Sequence, residues 1–280
     1  MLRTAPVRVL DDRDVEEARA VIDRDPVTNV FVASRVDAAG LDAWRLGAEM
    51  WGYPSGGRLQ ALCYAGANLV PVGASADAAR AFADKARRQG RRCSSIVGPA
   101  EAVDVLWHHL HQPWGGAREV RERQPLMAIS SPSRLAADPG VRRVRRTELD
   151  VVLPACIAMF TEEVGVSPLA GDGGALYRAR VAELIGLGRA FARIEDGRVL
   201  FKAEIGAAST ASCQIQGVWV DPELRGQGLG TTGTAAVVDE SLRSIAPVVS
   251  LYVNDFNEAA RAAYTKVGFA EVGTFMSVLF

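Results

Sequence analysis

A glycine-rich turn between a predicted strand and a predicted helix is the feature that most constrains the fold of this chain. The apolar segment VWV at 218–220 runs into the charged turn DPELRGQGLG, in which glycines alternate with other residues, and a helix is predicted from about Thr231 to Arg243. Glycines lack a Cβ atom, so successive backbone N–H groups can approach a ligand closely. The start of a helix adds unsatisfied N–H groups and a partial positive charge. The stretch therefore predicts an anion site, most naturally for a pyrophosphate.

Two other interpretations of this stretch stay open. Gly228, Gly230 and Gly233 match the dinucleotide fingerprint G-x-G-x-x-G, which by itself is a weak signal. That fingerprint places its first glycine directly at the end of the strand, whereas residues 221–227 intervene here. Only about fifty residues follow, too few for the rest of a doubly wound sheet. The last alternative is a glycine-rich surface turn without a ligand.

Length and composition indicate an ordinary globular protein of two domains. The chain has 280 residues, of which 49% are hydrophobic and 23% charged, more than one average domain needs. A formal net charge of -1 argues against a nucleic-acid binder that works through bulk positive charge. We expect no membrane span, because no apolar run reaches about 18 residues. The first residues turn acidic where a signal peptide needs an apolar run, so we expect a cytoplasmic protein.

The cysteines and histidines predict neither disulfide bonds nor a metal site. The four cysteines are widely spaced and form no C-x-x-C pair: Cys63, Cys93, Cys156 and Cys213. Such residues are typical of small buried hydrophobes in a reducing compartment. His108 and His111 could share a helix face, but no third ligand accompanies them.

The predicted elements repeat in the two halves of the chain. The stretch at 130–140 is rich in Ser, Pro and Gly, which is typical of a linker. It divides the chain into a first domain of residues 1–135 and a second of residues 136–280. In the second half a strand, two helices, three strands, a helix, a strand and a helix precede a closing hairpin at 269–280. This order predicts an α/β fold with a mixed sheet in each domain.

The first half follows the same order with differences. A helix is predicted from Asp12 to Asp23, followed by an irregular region up to Gly57, and this half is predicted to close with two strands, at 117–123 and 125–129. A helix capped by Ser75 and ended by Gly90 is predicted in it, and Thr147 is predicted to cap the first helix of the second half. From Val72 to Cys93 there are about seven fewer positions than from Val220 to Val248 in the second half, roughly the length of the glycine turn.

Two motifs resemble those of one family. The run RGQGLG at 225–230 resembles the R/Q-x-x-G-x-G/A motif of the GNAT superfamily of acyl-CoA-dependent N-acyltransferases. The run NEAARAAYTKVGF at 257–269 resembles the N-x-x-A-x-x-x-Y-x-x-x-G-F signature of the last family helix. The close resemblance covers about 141–280. The first half resembles a GNAT fold that lacks the motif, an arrangement similar to that of tandem-GNAT proteins with a divergent N-terminal half.

The resemblance implies a binding site for acetyl-CoA or a related acyl-CoA. The backbone of Val218, Trp219 and Val220 would pair with the pantetheine amides. Asn257 would lie near the pantetheine arm, or serve as a helix N-cap, or do both. The pyrophosphate would lie on the loop formed by Arg225, Gly226, Gln227, Gly228, Leu229 and Gly230.

The resemblance also implies a leaving-group acid. Tyr264 matches the family tyrosine near the thioester sulfur, and a phenol with a pKa of about 10 can protonate a departing thiolate. Packing in the core is the alternative role for this residue. A backbone N–H near Val218 or Trp219 could stabilise the oxyanion.

An amine acceptor must lose a proton before it attacks, so a carboxylate or a water relay is expected. The strand predicted at 212–220 carries Gln214 and Gln216, which could orient a water in the substrate site, and no glutamate. Glu204, in the preceding strand, is therefore the candidate base, with a solvent-facing strand position as the alternative. Glu162 and Glu163 could hold a cationic substrate, or belong to a solvated helix end.

We expect an N-acetyltransferase that moves an acetyl or other acyl group from acetyl-CoA to an amine by direct attack, with no metal and no cysteine relay through Cys213. The acceptor is a small-molecule amine or a protein lysine or N-terminal amine. The alternative is a non-catalytic acyl-CoA sensor or interaction module, because the strand before the turn has no carboxylate. The first domain would shape the substrate cleft or stabilise the pair.

Overall fold

The computed structural model describes residues 7–170 and 173–280. The chain forms two compact units. The first contains the described chain up to Leu126 together with Tyr252–Phe256 and Glu271–Phe280. The second contains Met127–Leu251 and Asn257–Ala270. In the described part of the chain, no helix combines the length and the apolar content needed to cross a membrane.

Helices and strands occur along the whole described chain. Up to residue 129 they are β1 (Arg8–Val9), α1 (Val15–Ile22), α2 (Val30–Ala39), α3 (Ala43–Leu46), β2 (Glu49–Ser55), β3 (Arg58–Ala65), β4 (Asn68–Val72), α4 (Ala76–Gln89), β5 (Ser95–Pro99), α5 (Ala100–Trp114) and β6 (Glu119–Ile129). They continue as β7 (Arg142–Arg143), α6 (Leu149–Val164), α7 (Ala175–Gly186), β8 (Ala190–Glu195), β9 (Arg198–Ala208), β10 (Cys213–Val220), α8 (Leu229–Ser244), β11 (Val249–Tyr252), α9 (Glu258–Val267) and β12 (Ala270–Leu279).

The first unit is built on an antiparallel meander followed by a parallel strand. β1, β2, β3 and β4 pair in that order as antiparallel neighbours, and β4 then pairs in parallel with β5 through Asn68 and Ser95. The crossover between β4 and β5 is α4. Its first turn is capped by the Ser75 side chain, and it ends at Gly90 with a positive φ of 75°, as the sequence predicts.

The second unit has the same ladder order. β7, β8, β9 and β10 form an antiparallel meander, and β10 pairs in parallel with β11. The turn between β8 and β9 has positive φ at both Asp196 and Gly197, the conformation that matches the twist of a hairpin. The mixed α/β fold predicted from the sequence is therefore confirmed, and the shared order supports a duplicated architecture.

The two units differ in the connection that follows the last antiparallel strand. Residues 73–75 link β4 to α4, whereas residues 221–228 link β10 to α8. In the shorter connection the Ser75 hydroxyl accepts a hydrogen bond from the N–H of Ala78 at 3.3 Å. In the first unit, a backbone N–H group at the start of α4 is therefore capped by the Ser75 side chain.

Several predicted boundaries are wrong. The region before Gly57 contains α2, α3 and β2 rather than irregular chain. The predicted strand pair at 117–129 is the single strand β6, in which the Pro125 carbonyl accepts the N–H of Val253. The predicted C-terminal hairpin is the single strand β12, because Gly273 has no positive φ and continues the extended backbone.

Two helix starts also differ from the prediction. α6 begins at Leu149 after a 3₁₀ turn, with Glu148 rather than Thr147 at the N-cap. α8 begins at Leu229, two residues before the predicted start. The left-handed backbone that Gly228 provides at the N-cap allows this earlier start.

The helices of the second unit cover both faces of the meander. Residues of α6 and α7, among them Val152 and Leu184, form one core with Ala192 of β8 and Trp219 of β10. On the other face α8 lies against β9. A Cβ atom at Gly233 of α8 would come within 2.7 to 2.8 Å of ring atoms of Phe201, so this helix and this strand approach as closely as glycine permits.

We predict that Gly233→Ala lowers the free energy of unfolding by about 1–3 kcal/mol, because the added methyl group overpacks the contact with Phe201. Gly230→Ala in the same helix is the matched control. Its Cβ would lie 3.4 Å from a methyl carbon of Val220, so we expect a change within about 0.5 kcal/mol. Denaturant midpoints measure both variants, and equal midpoints would contradict the close approach.

Candidate functional site

Among the described residues, the parallel strands β10 and β11 pair with each other only over their first two residues. In the described chain their ladder consists of Cys213 opposite Val249 and Gln214 opposite Ser250. The Ser250 hydroxyl donates to the Cys213 carbonyl at 3.1 Å and reinforces this end. Residues 215–220 therefore have β9 on one side and no β11 partner on the other. An unpaired strand edge of this kind can accept an extended ligand as a further strand.

The free part of β10 contains a β-bulge. Gln216 lies opposite Glu204 and Trp219 lies opposite Lys202, so three steps along β10 match two steps along β9. Gly217 and Val218 lie inside the bulge without a β9 partner. Gly217 has a φ of 60°, a conformation that glycine adopts at little cost. Such a bulge turns backbone groups away from the ladder.

The glycine turn follows directly. Gly226 and Gly228 have φ values of 79° and 89°, and no atom lies within 4 Å of the position that a Cβ would take at either residue. Gly228 is the N-cap of α8, and its carbonyl accepts from the N–H groups of Thr231 and Thr232 at 3.0 Å. The N–H groups of Leu229 and Gly230 precede these bonds, so the helix start presents free donors.

Side chains anchor the beginning of the turn to β9. Arg198 donates from Nε to Asp221 Oδ2 and from Nη2 to Glu223 Oε2, each at 2.6 Å. The Asp221 carboxylate also accepts the N–H of Glu223 at 3.1 Å. The hydrogen bond from Arg198 lowers the pKa of Asp221 below its usual value. The charged residues of the turn thus fix its exit from β10.

Glu162 connects α6 to the turn. Its Oε2 accepts from Arg225 Nη2 at 2.7 Å, and its Oε1 accepts from Trp219 Nε1 at 3.3 Å. Arg225 also donates from Nε to the Val220 carbonyl at 3.1 Å. Both partners of the Glu162–Arg225 ion pair are about half exposed, so the pair is weak and can exchange partners.

Helix α9 and its N-cap contain two further predicted residues, Asn257 and Tyr264. The Asn257 side chain accepts the N–H of Ala260 at 3.1 Å, so its predicted N-cap role is confirmed. Tyr264 is buried and has a ring contact with Phe269. Within the described chain, the Tyr264 hydroxyl has no hydrogen-bond partner. Burial, followed by the charge of Glu163, raises the pKa of Tyr264 above its usual value, so it stays protonated at neutral pH.

Glu204 is buried but not alone. Its Oε1 lies 2.5 Å from Lys202 Nζ. The Cys156 thiol of α6 lies 3.6 Å from the same carboxylate oxygen and 3.5 Å from the ammonium. Tyr177 of α7 donates to the Cys156 carbonyl at 2.8 Å. Glu204 is buried, so the alternative of a solvent-facing position is wrong, and its carboxylate already has a cationic partner.

The charges of this cluster are those of an ion pair beside a neutral thiol. Burial lowers the pKa of Lys202, but the Glu204 charge and the contact with Cys156 outweigh it, so the net shift is upward. Burial raises the pKa of Cys156 to about 11, against the charge of Lys202. Lys202 therefore remains an ammonium and Cys156 a thiol at neutral pH.

Three predicted substrate-site residues, Glu162, Glu163 and Gln214, lie at different places in the second unit. Glu162 contacts both Trp219 and Arg225 at the turn. Glu163 is close enough to Tyr264 to affect its pKa. Gln214 is buried at the last parallel pair with β11.

Sequence reasoning missed the partner of Glu204. Lys202 and Glu204 are two apart in one strand, so their side chains share a face of the sheet. This spacing could have indicated the pair. Cys156 and Tyr177 come from distant helices, and no local signal could have found them.

The turn fits a diphosphate group. It combines open space above two glycines, free N–H groups at a helix start and the arginine of a weak ion pair. The free edge of β10 lies immediately before it in the chain. The residues present are therefore able to hold a ligand that is a diphosphate at one end and carries amide groups along an extended arm.

Two family models match parts of the chain. A model described as the acetyltransferase (GNAT) family matches residues 170–269, and one described as a domain of unknown function, DUF4081, matches residues 48–152. No curated protein matches the chain in sequence.

Several solved structures share the fold of nearly the whole chain. A GNAT-family acetyltransferase from Colwellia psychrerythraea has a TM-score of 0.58 at 12% identity and covers 98% of this chain and 99% of its own. A tandem GNAT protein from the clavulanic acid biosynthesis pathway has a TM-score of 0.53 at 15% identity and covers 98% of each chain. A GCN5-related N-acetyltransferase from Sphaerobacter thermophilus has a TM-score of 0.54 at 15% identity and covers 98% and 96%.

The family domain at 170–269 contains both motifs, and the neighbours show the two-domain fold over both halves. Residues 170–269 therefore match the acetyltransferase (GNAT) family, and the mixed α/β fold of the whole chain is similar to that of a tandem GNAT protein.

Proposed function

We propose that the second unit transfers an acetyl or related acyl group from acyl-CoA to an amine by direct attack. One observation carries this proposal: the free edge of β10 leads without interruption into a glycine turn at a helix N-terminus. An extended thioester with a diphosphate at its far end matches such a path. The GNAT domain supports an acyltransferase role.

The chain offers a binding role for each part of the cosubstrate. The backbone of Val218, Trp219 and Val220 would pair with the pantetheine amides. The turn from Arg225 to Gly230, including Gln227 and Leu229, would hold the diphosphate. Asn257 would orient the pantetheine arm while it caps α9. Arg225 would exchange Glu162 for the diphosphate, because a dianion competes well for a half-exposed guanidinium.

Two groups would act on the thioester during transfer. A backbone N–H of the bulge, at Val218 or Trp219, would donate to the oxygen as negative charge develops on it. Tyr264 would donate a proton or a hydrogen bond to the leaving sulfur. The raised pKa of Tyr264 suits this role, since the phenol keeps its proton at neutral pH.

The acceptor amine would be held by acidic residues near the thioester. Glu163 raises the pKa of Tyr264 and is therefore close to it, so it could bind an ammonium, and Glu162 could join it once Arg225 is released. Gln214 could position a water that removes the proton. Glu204 can act as the base only if its pair with Lys202 opens. The acceptor is a small-molecule amine or a protein lysine or N-terminal amine.

A non-catalytic acyl-CoA sensor is the second candidate. The observation that favours it is the ion pair of Glu204 with Lys202, which occupies the carboxylate that the sequence predicts as the base. A sensor would bind acyl-CoA and leave the thioester intact. The two candidates therefore differ in turnover and not in binding.

We predict that acetyl-CoA binds to one site per chain and that Gly228→Ala weakens this binding about tenfold or more, because a Cβ enters the cradle and displaces charge-assisted hydrogen bonds. Gly47→Ala, in the first unit, is the matched control. Like Gly228, Gly47 has a left-handed backbone, with a φ of 66°, and no atom within 4 Å of a Cβ, so both variants bear similar backbone strain of about 1–2 kcal/mol.

Isothermal titration calorimetry on both variants and the parent chain makes this comparison. Equal losses of affinity would mean that strain alone is responsible. Two equivalent sites per chain would contradict the assignment of the cradle to the second unit alone.

We predict that the wild-type chain releases CoA thiol from acetyl-CoA in the presence of at least one amine of a broad panel. Tyr264→Phe should lower kcat about a hundredfold and leave KM for acetyl-CoA unchanged, because the phenol acts only as the sulfur leaves. Tyr53→Phe, in the first unit, is the matched control and should keep full turnover.

A thiol reagent at pH 8 can measure this release, since all four cysteines of the chain are buried. Full turnover by Tyr264→Phe would contradict the acid role. Binding of acetyl-CoA without thiol release across the panel would favour the sensor.

A further inference from the structure

The Lys202–Glu204 pair lies across the bulge of β10. Glu204 is the β9 partner of Gln216, on one side of the bulge, and Lys202 is the partner of Trp219, on the other side. Their side chains leave the same face of β9 and meet at 2.5 Å. The ion pair therefore spans the one place where β9 has fewer residues than β10.

The bulge rests directly on this pair. A Cβ at Gly217 would lie 3.2 Å from Lys202 Nζ, 3.5 Å from Glu204 Oε2 and 2.9 Å from Met159 Cε. The backbone at Gly217 thus packs against both charged groups and against α6. Any side chain at this position would push the pair apart or lift the bulge from it.

The pair is also closed off from the other side. Lys202 and Glu204 have side-chain exposures of 3% and 8%. Cys156 contacts both groups, and the Tyr177 hydroxyl ties the Cys156 carbonyl to α7. A buried charge without its partner is strongly unfavourable. Separating Lys202 from Glu204 is therefore costly in free energy. The pair keeps both side chains in place beneath Gly217.

We propose that Lys202 and Glu204 are positioning residues that hold the bulge of β10 in place. Through the bulge they would aim the N–H groups of Val218 and Trp219, the donors that the proposed function assigns to the thioester oxygen. This inference rests on that proposed function for its effect on catalysis. It gives Glu204 a role that depends on its charge partner rather than on proton transfer.

A charge swap separates the two roles of Glu204. The single variants Lys202→Met and Glu204→Gln each remove one charge and leave the other group buried without its ionic partner. The double variant Lys202→Glu with Glu204→Lys restores an ion pair of opposite polarity at the same two positions. An ion pair can hold the bulge in either orientation of its charges, whereas a base requires a carboxylate at position 204.

Two measurements are made on all four chains. Hydrogen exchange of the peptide 213–221 reports how firmly the bulge is held, and exchange of α9 serves as an internal control. Steady-state thiol release gives kcat and KM for acetyl-CoA. We expect faster exchange at 213–221 and a loss of about a hundredfold in kcat/KM for each single variant, since the displaced bulge carries both the oxyanion donor and the backbone that pairs with pantetheine. We expect the swap to recover both.

The outcomes distinguish the possible failures. A swap that recovers slow exchange but is as inactive as Glu204→Gln would overturn the positioning role in favour of a base. Unchanged exchange at 213–221 in both single variants would show that the pair does not hold the bulge. A wild-type chain without turnover would refute the proposed transfer, while the exchange data would still test the pair. If a single variant fails to fold, the swap compared with wild type decides between the two roles.

Discussion

The parting of β10 from β11 after Gln214 is the constraint on which the rest of the site depends. A parallel pair that continued to Val220 would use both edges of β10 and leave no room for an extended ligand. The bulge at Gly217 then turns the free edge, and the glycine turn ends it at a helix start. The bulge and the glycine turn can offer backbone groups to a ligand only because those groups are not already paired within the sheet.

In its described part, the first unit shows the same ladder order, and its parallel strands β4 and β5 also stop pairing after two residues, but it has neither the bulge nor the glycine turn. β4 ends at Val72 and a connection of residues 73–75 leads into α4, whose first turn is capped by Ser75. β4 contains Pro71, which has no N–H to offer. The pairing of β4 with β3 runs from Leu62 to Ala65 without a register shift. A common scaffold is thus combined with the proposed ligand cradle in one unit and, in the other, with a short turn whose helix start is capped by its own side chain.

The sequence predicts the parts of the site that are local in the chain. The glycine turn, the Asn257 cap and the helix bearing Tyr264 follow from spacing and residue type. The contacts of Glu204 do not, because Cys156 and Tyr177 come from helices far away in sequence. Pattern reasoning also failed where glycine or proline was taken as a break. Pro125 and Gly273 both lie within continuous strands, since partners across the sheet outweigh local preference.

A crystal structure of the chain with acetyl-CoA would show directly whether β10 and the glycine turn form the cosubstrate site. We expect the pantetheine arm beside Val218, Trp219 and Val220, the diphosphate on the N–H groups of residues 226–230, and Arg225 released from Glu162. Acetyl-CoA bound elsewhere on the chain, with β10 and the glycine turn unoccupied, would contradict this assignment.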